Sequence, residues 1–493
     1  MANKASRLLV FRTMATPRWL STSTATETEM ATSTMSTKSN KNSLYHRLLT
    51  LGGKDATVAD TLDEWEKEGK PFKRVQIIGS VKLLRKAKKY QHAIQIYDWM
   101  ENSENKMNDA DRAIRIDLLS KTEGVDSAEK YFNSLEGSAK TKKTYGALLN
   151  CYCKEKMLDK AIEIFEKMRE LNFLSALNYN NMMSLYLSVG QPEKVRLLLK
   201  EMEENNIVAD LYTYNQLMNI YAALNDIDAV EGVLEKMKTN KVKCDWFTYG
   251  NLATIYVNAG LIDKANAALQ KLENMKNLHD WESFHTLITL YARVSNLSGV
   301  NRAWESLKSI SPKPSTVSYV IMLLALSKLG DVGGLEKCFK EWESGCSTYD
   351  ARVVNVILES HLNQNMIEEA ESIYESMVKR GAGPNLRTLD LFTNFYLKRH
   401  QMDLALKYLE MGASKMKPEK KMWFPTDETV SIFLKYFEEE RDVDRAEKFC
   451  SIMKKIGRLD PKVSDSLLGT QIAAGQSEPQ MHQQMKDGTL DEP

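Results

Sequence analysis

Apolar positions recur at spacings of three and four residues, in paired runs, along most of this chain. Between Leu211 and Asp245 they fall at Tyr214, Leu217, Tyr221 and Leu224, then at Ile227, Val230, Leu234 and Met237. Each run has the period of one face of an α-helix, so the stretch predicts two helices. Asn225 and Asp226 separate them. Asn tolerates the left-handed conformation that ends one helix, and Asp accepts hydrogen bonds from the free amides that begin the next. The preceding stretch, Ala176 to Asp210, has the same pattern at an offset of 35 residues, with Tyr179-Asn180 set over Tyr214-Asn215 and Asp210 over Asp245. A helical pair repeated at that period marks a solenoid, in which each pair buries its apolar face on its neighbours.

The small residue of the second helix sets the register: Ala93, Ala128, Ala161, Val195, Val230, Ala265, Val300, Leu335, Ala370, Ala405 and Ala446. Counting back gives about eleven repeats, starting near Arg74, Asp109, Lys142, Ala176, Leu211, Trp246, Trp281, Thr316, Ala351, Leu386 and Asp427. Gly190, Gly260, Gly330 and Asn365 take the turn between paired helices. Thr144, Thr213, Thr248, Ser283, Ser318 and Thr388 stand where N-caps would. The expected fold is all-α, a right-handed superhelical solenoid of 35-residue helix-turn-helix repeats over residues 74–461. Before it lies a lead-in, residues 41–73, with one helix around Val58 to Glu68 and a stop at Pro71. The repeat from Leu386 carries an insertion, Lys415 to Pro425, and residues 462–493 form a cap and polar tail.

Composition fits a helical array: of 493 residues, 43% are apolar and 27% charged, with only 23 Gly. No apolar run approaches the ~20 residues that cross a bilayer. The first forty residues differ. Lys4, Arg7, Arg12 and Arg18 precede the first acid, Glu27, and Ser21 to Ser39 is dense in Ser and Thr. That is the composition of an organellar transit peptide, and the short amphipathic segment Arg7 to Thr13 favours mitochondria, with plastids the alternative. Gly52-Gly53-Lys54 lacks the rest of a phosphate loop. Six scattered cysteines, Cys151, Cys153, Cys244, Cys338, Cys346 and Cys450, have no zinc spacing and read as small buried residues in a reducing compartment. The net charge of +1 means that any affinity for nucleic acid comes from local placement of charge.

A 35-residue helical pair reading Thr-Tyr-Asn near its start, with a Met late in the second helix and a closing Asp, resembles the pentatricopeptide repeat. The resemblance covers Arg74 to about Asp460, and with no deaminase-like tail it is to the pure-repeat (P) class. It implies a concave groove lined by first helices, holding single-stranded RNA at roughly one base per repeat. By resemblance, the fifth and last residues of a repeat read the base edge and the second residue sandwiches the base. The readable pairs are Asn180 with Asp210 and Asn215 with Asp245, implying uracil, and Asn355 with Asn385, implying a pyrimidine. Leu177, Tyr212 and Phe247 are the sandwiching residues. The other fifth positions, among them Ile78, Gly146, Gly250, His285, Val320 and Asp390, break the pattern, so the expected sequence requirement is loose.

The thirteenth position, which resemblance assigns to phosphate, is basic at Lys86, Lys121, Lys154, Arg293, Lys328 and Lys398, with a gap between. The competing reading is ordinary solvated helix charge. His285 reads as a solvent-exposed polar residue or a weak stacking platform rather than a catalyst, and Trp99, Trp246, Trp281, Trp304 and Trp342 as packing residues. Two functions follow from the resemblance. One is an organellar RNA-binding protein acting in mitochondrial RNA processing, stability or translation, with mRNA or rRNA as partner. The other is a structural component of the mitochondrial ribosome, with neighbouring ribosomal proteins. No nucleophile, metal or phosphate-binding constellation is present, so neither enzyme activity, cofactor, small-molecule substrate nor membrane is expected.

Overall fold

The left-handed turn that the sequence places at Asn225 is a periodic feature of the backbone. In the computed structural model, positive φ recurs every 35 residues at Gly190, Asn225, Gly260, Ser295, Gly330, Asn365 and His400. Each of these residues ends a first helix and turns the chain into a second. The structure describes residues 44–51, 57–69, 74–102, 107–276, 278–346, 349–416, 424–458, 464 and 469–470. The segment expected to be a transit peptide, Gly52-Gly53-Lys54, residues 417–423 of the insertion and nearly all of the C-terminal tail fall outside them.

Twenty-four α-helices and one short 3-10 helix, Gly137–Ala139, make up the described residues, with no strand among them. Contacts divide them into two bodies, one ending at Lys243 and one beginning at Cys244. The N-terminal body opens with α1 (Leu44–Thr50) and α2 (Val58–Lys67). Its helix pairs are α3 (Arg74–Lys86) with α4 (Tyr90–Asn102), α5 (Asp109–Thr122) with α6 (Val125–Ser134), α7 (Lys142–Lys154) with α8 (Leu158–Glu170), α9 (Ala176–Ser188) with α10 (Lys194–Glu204), and α11 (Leu211–Ala223) with α12 (Ile227–Thr239). The C-terminal body pairs α13 (Trp246–Asn258) with α14 (Ile262–Glu273), α15 (Trp281–Arg293) with α16 (Leu297–Ile310), and α17 (Thr316–Leu329) with α18 (Val332–Gly345). It continues with α19 (Ala351–Asn363) and α20 (Ile367–Lys379), α21 (Leu386–Lys398) and α22 (Met402–Ala413), and α23 (Asp427–Glu440) and α24 (Val443–Lys455). All eleven odd-numbered helices from α3 begin at the residues that the sequence register names.

Within each body the first helices of successive repeats pack on one another, from α5 to α11 and from α13 to α23. The small residue of each second helix explains how closely the layers approach. All eleven register positions, Ala93 through Ala446, are no more than 1% exposed. A larger side chain there would wedge helices apart in an interior packed to crystal-like density. Tyrosines near the start of first helices fill the space between the layers. Tyr179 and Tyr319 are buried, and their hydroxyls donate to Glu201 at 2.9 Å and Glu341 at 3.0 Å on the second helix of the same repeat.

The caps differ from the sequence reading by three residues. The N-caps are the closing residues of the preceding repeats, Thr141, Asp210, Asp245, Asp280, Ser315 and Asn385. Thr144, Thr213, Thr248, Ser283, Ser318 and Thr388 are each the third helical residue, one turn further in. At Asp210 the carboxylate accepts the Thr213 amide at 2.8 Å, while the Asp210 amide donates back to the Thr213 hydroxyl at 3.2 Å. This reciprocal box satisfies orphan amides at the helix start. Its consequence for function is that each closing residue already has a structural task.

Candidate nucleic-acid interface

The fifth residue of a first helix lies one turn inside the capped end, facing the next repeat. In α9 that residue is Asn180, only 1% exposed, and its Nδ2 donates to Asp210 Oδ1 at 3.3 Å. Its own Oδ1 is buried without a hydrogen-bond partner. In α19, Asn355 Nδ2 donates to Asn385 Oδ1 at 3.1 Å, and Asn355 Oδ1 accepts the Thr388 hydroxyl at 2.7 Å. Two of the three pairs named from sequence are therefore brought together. Asn215 is buried in the N-terminal body, with Nδ2 on the Leu211 carbonyl at 3.0 Å. Asp245 belongs to the C-terminal body, where Oδ1 accepts both the amide and the hydroxyl of Thr248 at 2.8 Å.

His285 corrects its sequence reading. It is 7% exposed, not solvated, and its Nε2 lies 2.9 Å from the Ser318 hydroxyl of the next repeat. Burial pulls its pKa below the ordinary histidine value. Asp390 is also buried and is held by Arg387 at 3.1 Å and by Asn394 at 3.0 Å. Asn394 in turn accepts the Thr429 hydroxyl at 2.9 Å, so even a repeat without an amide at position five reaches the third residue of its neighbour. At Gly146 and Gly250 there is no side chain to reach, and an added Cβ would stand 3.3 Å from Asn178 Nδ2 and 3.1 Å from Thr286 Cγ2.

The sandwiching candidates Leu177, Tyr212 and Phe247 are half-buried. Gln216 Nε2, one turn after Tyr212, donates to the Tyr212 hydroxyl at 2.8 Å and to Ser184 of the preceding repeat at 2.5 Å, which fixes the ring. Trp281, expected to pack, is instead 50% exposed at the first position of α15, where it meets His285 edge to face at 5.0 Å.

The thirteenth residues sit in the last turns of first helices, where the helix dipole favours a cation. Lys86, Lys328 and Lys398 are exposed. Arg293 is half-buried and donates to Asn258 at 2.5 Å, thirteenth residue to thirteenth residue. Lys121 and Lys154 share a partner that sequence reasoning passed over. Asp117 accepts Lys121 at 2.6 Å, Lys154 at 3.2 Å and Arg85 at 3.1 Å, gathering cations from three successive first helices onto one buried carboxylate. Burial alone would raise its pKa, but Lys154, Lys121 and Arg85 outweigh it and hold Asp117 below the ordinary carboxylate range. The spacings of 32 and 37 residues from Asp117 to Arg85 and Lys154 were the available signal.

Comparison with known proteins identifies the repeat. The "PPR repeat family" description matches residues 174–223, and the "PPR repeat" description matches 143–173, 212–242 and 352–381. A mitochondrial pentatricopeptide repeat-containing protein of Arabidopsis thaliana is 40% identical over 472 residues, covering 95% of this chain and 93% of its own length. The chain belongs to the pentatricopeptide repeat family. A second such mitochondrial protein of that plant is 40% identical over 456 residues, 92% of this chain and 85% of its own. The large ribosomal subunit protein mL101 (rPPR4) of Arabidopsis thaliana is 38% identical over 516 residues, covering 90% of this chain and 91% of its own. Among solved structures, pentatricopeptide repeat protein PPR10 in complex with an 18-nt psaJ RNA element matches with a TM-score of 0.52 and 14% identity. That match covers 83% of this chain, which spans only 64% of PPR10, and it is a likeness of fold.

In this pentatricopeptide repeat protein the acids are sorted by layer. Over the six repeats from Lys142 to Gly345, the first helices carry one carboxylate, Glu282, and the second helices carry sixteen. Across these six repeats the first helices are thus nearly free of negative charge, whereas α5 carries three acids and α23 carries five. Burial pushes the Cys151 and Cys450 thiols up to about 11, and those of Cys153 and Cys338 to about 12, so these four carry little of the reactive thiolate. Among the described residues no cluster of His, Cys, Asp or Glu is placed to hold a metal ion.

Proposed function

We propose that this is a mitochondrial pentatricopeptide repeat protein of the P class that binds single-stranded RNA along its first helices, without catalysis and with a loose sequence requirement. The observation that carries this reading is the sorting of acids. A polyanion is repelled by carboxylates, and six consecutive first helices present one against sixteen on the second helices. Asn180 with Asp210 is a base-reading pair, Leu177, Tyr212 and Phe247 are the stacking surfaces, and exposed Lys86, Lys328 and Lys398 the phosphate contacts. Mitochondrial placement rests on relatives that bear that location in their names. The complex of PPR10 with RNA supports the choice of ligand.

The test is fluorescence anisotropy of the purified chain with single-stranded oligouridine, oligoadenine and a duplex, at several salt concentrations. Tighter binding of oligouridine, with a salt slope of only a few phosphates, is the expected result. Equal binding to the duplex would overturn the reading. A second reading, a structural component of the mitochondrial ribosome, is favoured by the match to mL101 along nearly the whole chain and by the burial of the fifth residues Asn180, Asn215, His285, Asn355 and Asp390. Gradient sedimentation of a mitochondrial lysate, with magnesium and then with EDTA, separates the two. Stoichiometric migration with one ribosomal subunit supports the ribosomal role, and migration at the top of both gradients supports a free RNA-binding factor.

A further inference from the structure

α17 is apolar almost all round, and its own chain covers only part of it. Tyr319, Met322, Leu323, Ala325 and Leu326 are buried, and the Tyr319 hydroxyl donates to Glu341 on α18. On the side turned away from α18, at the second, fifth, sixth and ninth positions, stand Val317, Val320, Ile321 and Leu324. Spacings of three and four residues set them in one stripe along the helix. In each of the other ten first helices at least one of these four positions is polar or charged. Val317 is 44% and Leu324 50% exposed, while Val320 and Ile321 are half-buried. A helix apolar all round belongs in an interior, and one side of this one is open to solvent.

The stripe is ill suited to RNA. None of its four side chains has a hydrogen-bonding atom for a base edge, and Asp350, which closes this repeat, is bridged to Arg352 at 2.7 Å. Charge beside the stripe is paired except at its two ends. Glu359 on α19 is bridged to Arg387 at 2.8 Å. Glu282, the second residue of the neighbouring α15, stands level with the start of α17 and makes no ion pair among the described residues. Lys328 lies exposed in the last turn of α17.

We infer that α17 docks an amphipathic helix of a partner protein, running antiparallel to it. A stripe with this spacing seats the apolar side chains of a facing helix. The antiparallel direction brings the partner's last turn, where a helix favours cations, to Glu282, and its first turn, where a helix favours acids, to Lys328. The surface is independent of the RNA-binding function proposed above. A docked partner takes Lys328 out of the phosphate contacts and leaves Lys86 and Lys398.

The test places the photocrosslinker p-benzoylphenylalanine at position 324 of the full chain in mitochondria, with the same group in place of exposed Leu197 on α10 as control. Adducts are treated with RNase and mapped by mass spectrometry. One RNase-resistant protein adduct, absent from the control, is expected. Its crosslinked segment should be a helix with apolar residues three and four apart, an acid in its first turn and lysine or arginine in its last. Glu282→Lys should lower the yield about 5-fold by repelling that last turn. Val317→Asp should abolish the adduct without lowering the melting temperature of the purified chain, because the first turn of a helix favours an acid. An RNase-sensitive adduct would put a base on the stripe, and a crosslink to a second copy of this chain would make it a self-interface; either overturns the inference. So does the absence of any adduct beyond the control, or an adduct that neither substitution weakens.

Discussion

Repeats early in the chain are fastened by ion pairs, whereas the hydrogen bonds that join α9 to α11 have no cation among their donors. Asp117 ties α3, α5 and α7 through Arg85, Lys121 and Lys154. Between α9 and α11 the ties are Gln216 to Ser184 at 2.5 Å and Asn180 to Asp210 at 3.3 Å, and the thirteenth residues are Ser188 and Ala223. The ninth position thus serves cohesion by ion pairing at Asp117 and by a neutral hydrogen bond at Ser184. A lysine at the thirteenth position is evidence of a phosphate contact only where no carboxylate of a neighbouring first helix meets it.

Removing the carboxylate is the most forceful way to break this contrast. Asp117→Ala leaves half-buried Arg85 without its acid, and a loss of about 2–3 kcal/mol is expected in urea unfolding of the chain. Wild-type unfolding in this variant would mean that the cations are not held by Asp117. Acid should have the same effect by titration. The native Asp117 pKa lies below its ordinary value of about 3.9, so its stabilisation is present above that pH and is lost as pH falls through the lowered native pKa. Melting curves of the wild type and Asp117→Asn should therefore converge at the acid end. A constant gap between them would refute the linkage.

At the fifth-position joints, which hold no cation, the effects are smaller. Asn355→Ala breaks two satisfied hydrogen bonds and should cost about 1–2 kcal/mol, while Asn180→Ala, which loses one long bond and no acceptor contact, should cost under about 1 kcal/mol. Equal losses would erase the distinction between the joints. Smallest is the turn. Lys156 takes positive φ in the early region where the α9 repeat uses Gly190, so Lys156→Gly should gain roughly 0.5 kcal/mol and Gly190→Ala should lose about 1 kcal/mol. Differential scanning calorimetry of the pair gives both signs at once.

The helix starts were legible because the small residue of the second helix and the left-handed turn residue both keep the 35-residue period. The caps were misplaced by one turn because a capping box has a polar side chain at both of its ends. Thr213 and Asp210 bond reciprocally, and a hydroxyl pattern alone does not say which is outermost. The burial of Asn180, Asn355 and His285 was not legible either. A polar residue on a first helix reads as solvated unless its partner, one repeat away in sequence, is known. Asp117 escaped for a similar reason, since it is at the ninth position of α5 and its cations come from positions twelve and thirteen of three different helices.

The closing residue of each repeat is also the cap of the next first helix, so the 35-residue period does not cut the molecule into self-contained parts. A repeat transplanted whole would bring its fifth and last residues but meet a foreign third residue across the seam. Recombination or grafting of repeats in this chain would therefore edit the joints on both sides of the inserted piece. Its vocabulary resides in overlapping pairs of neighbours rather than in interchangeable beads.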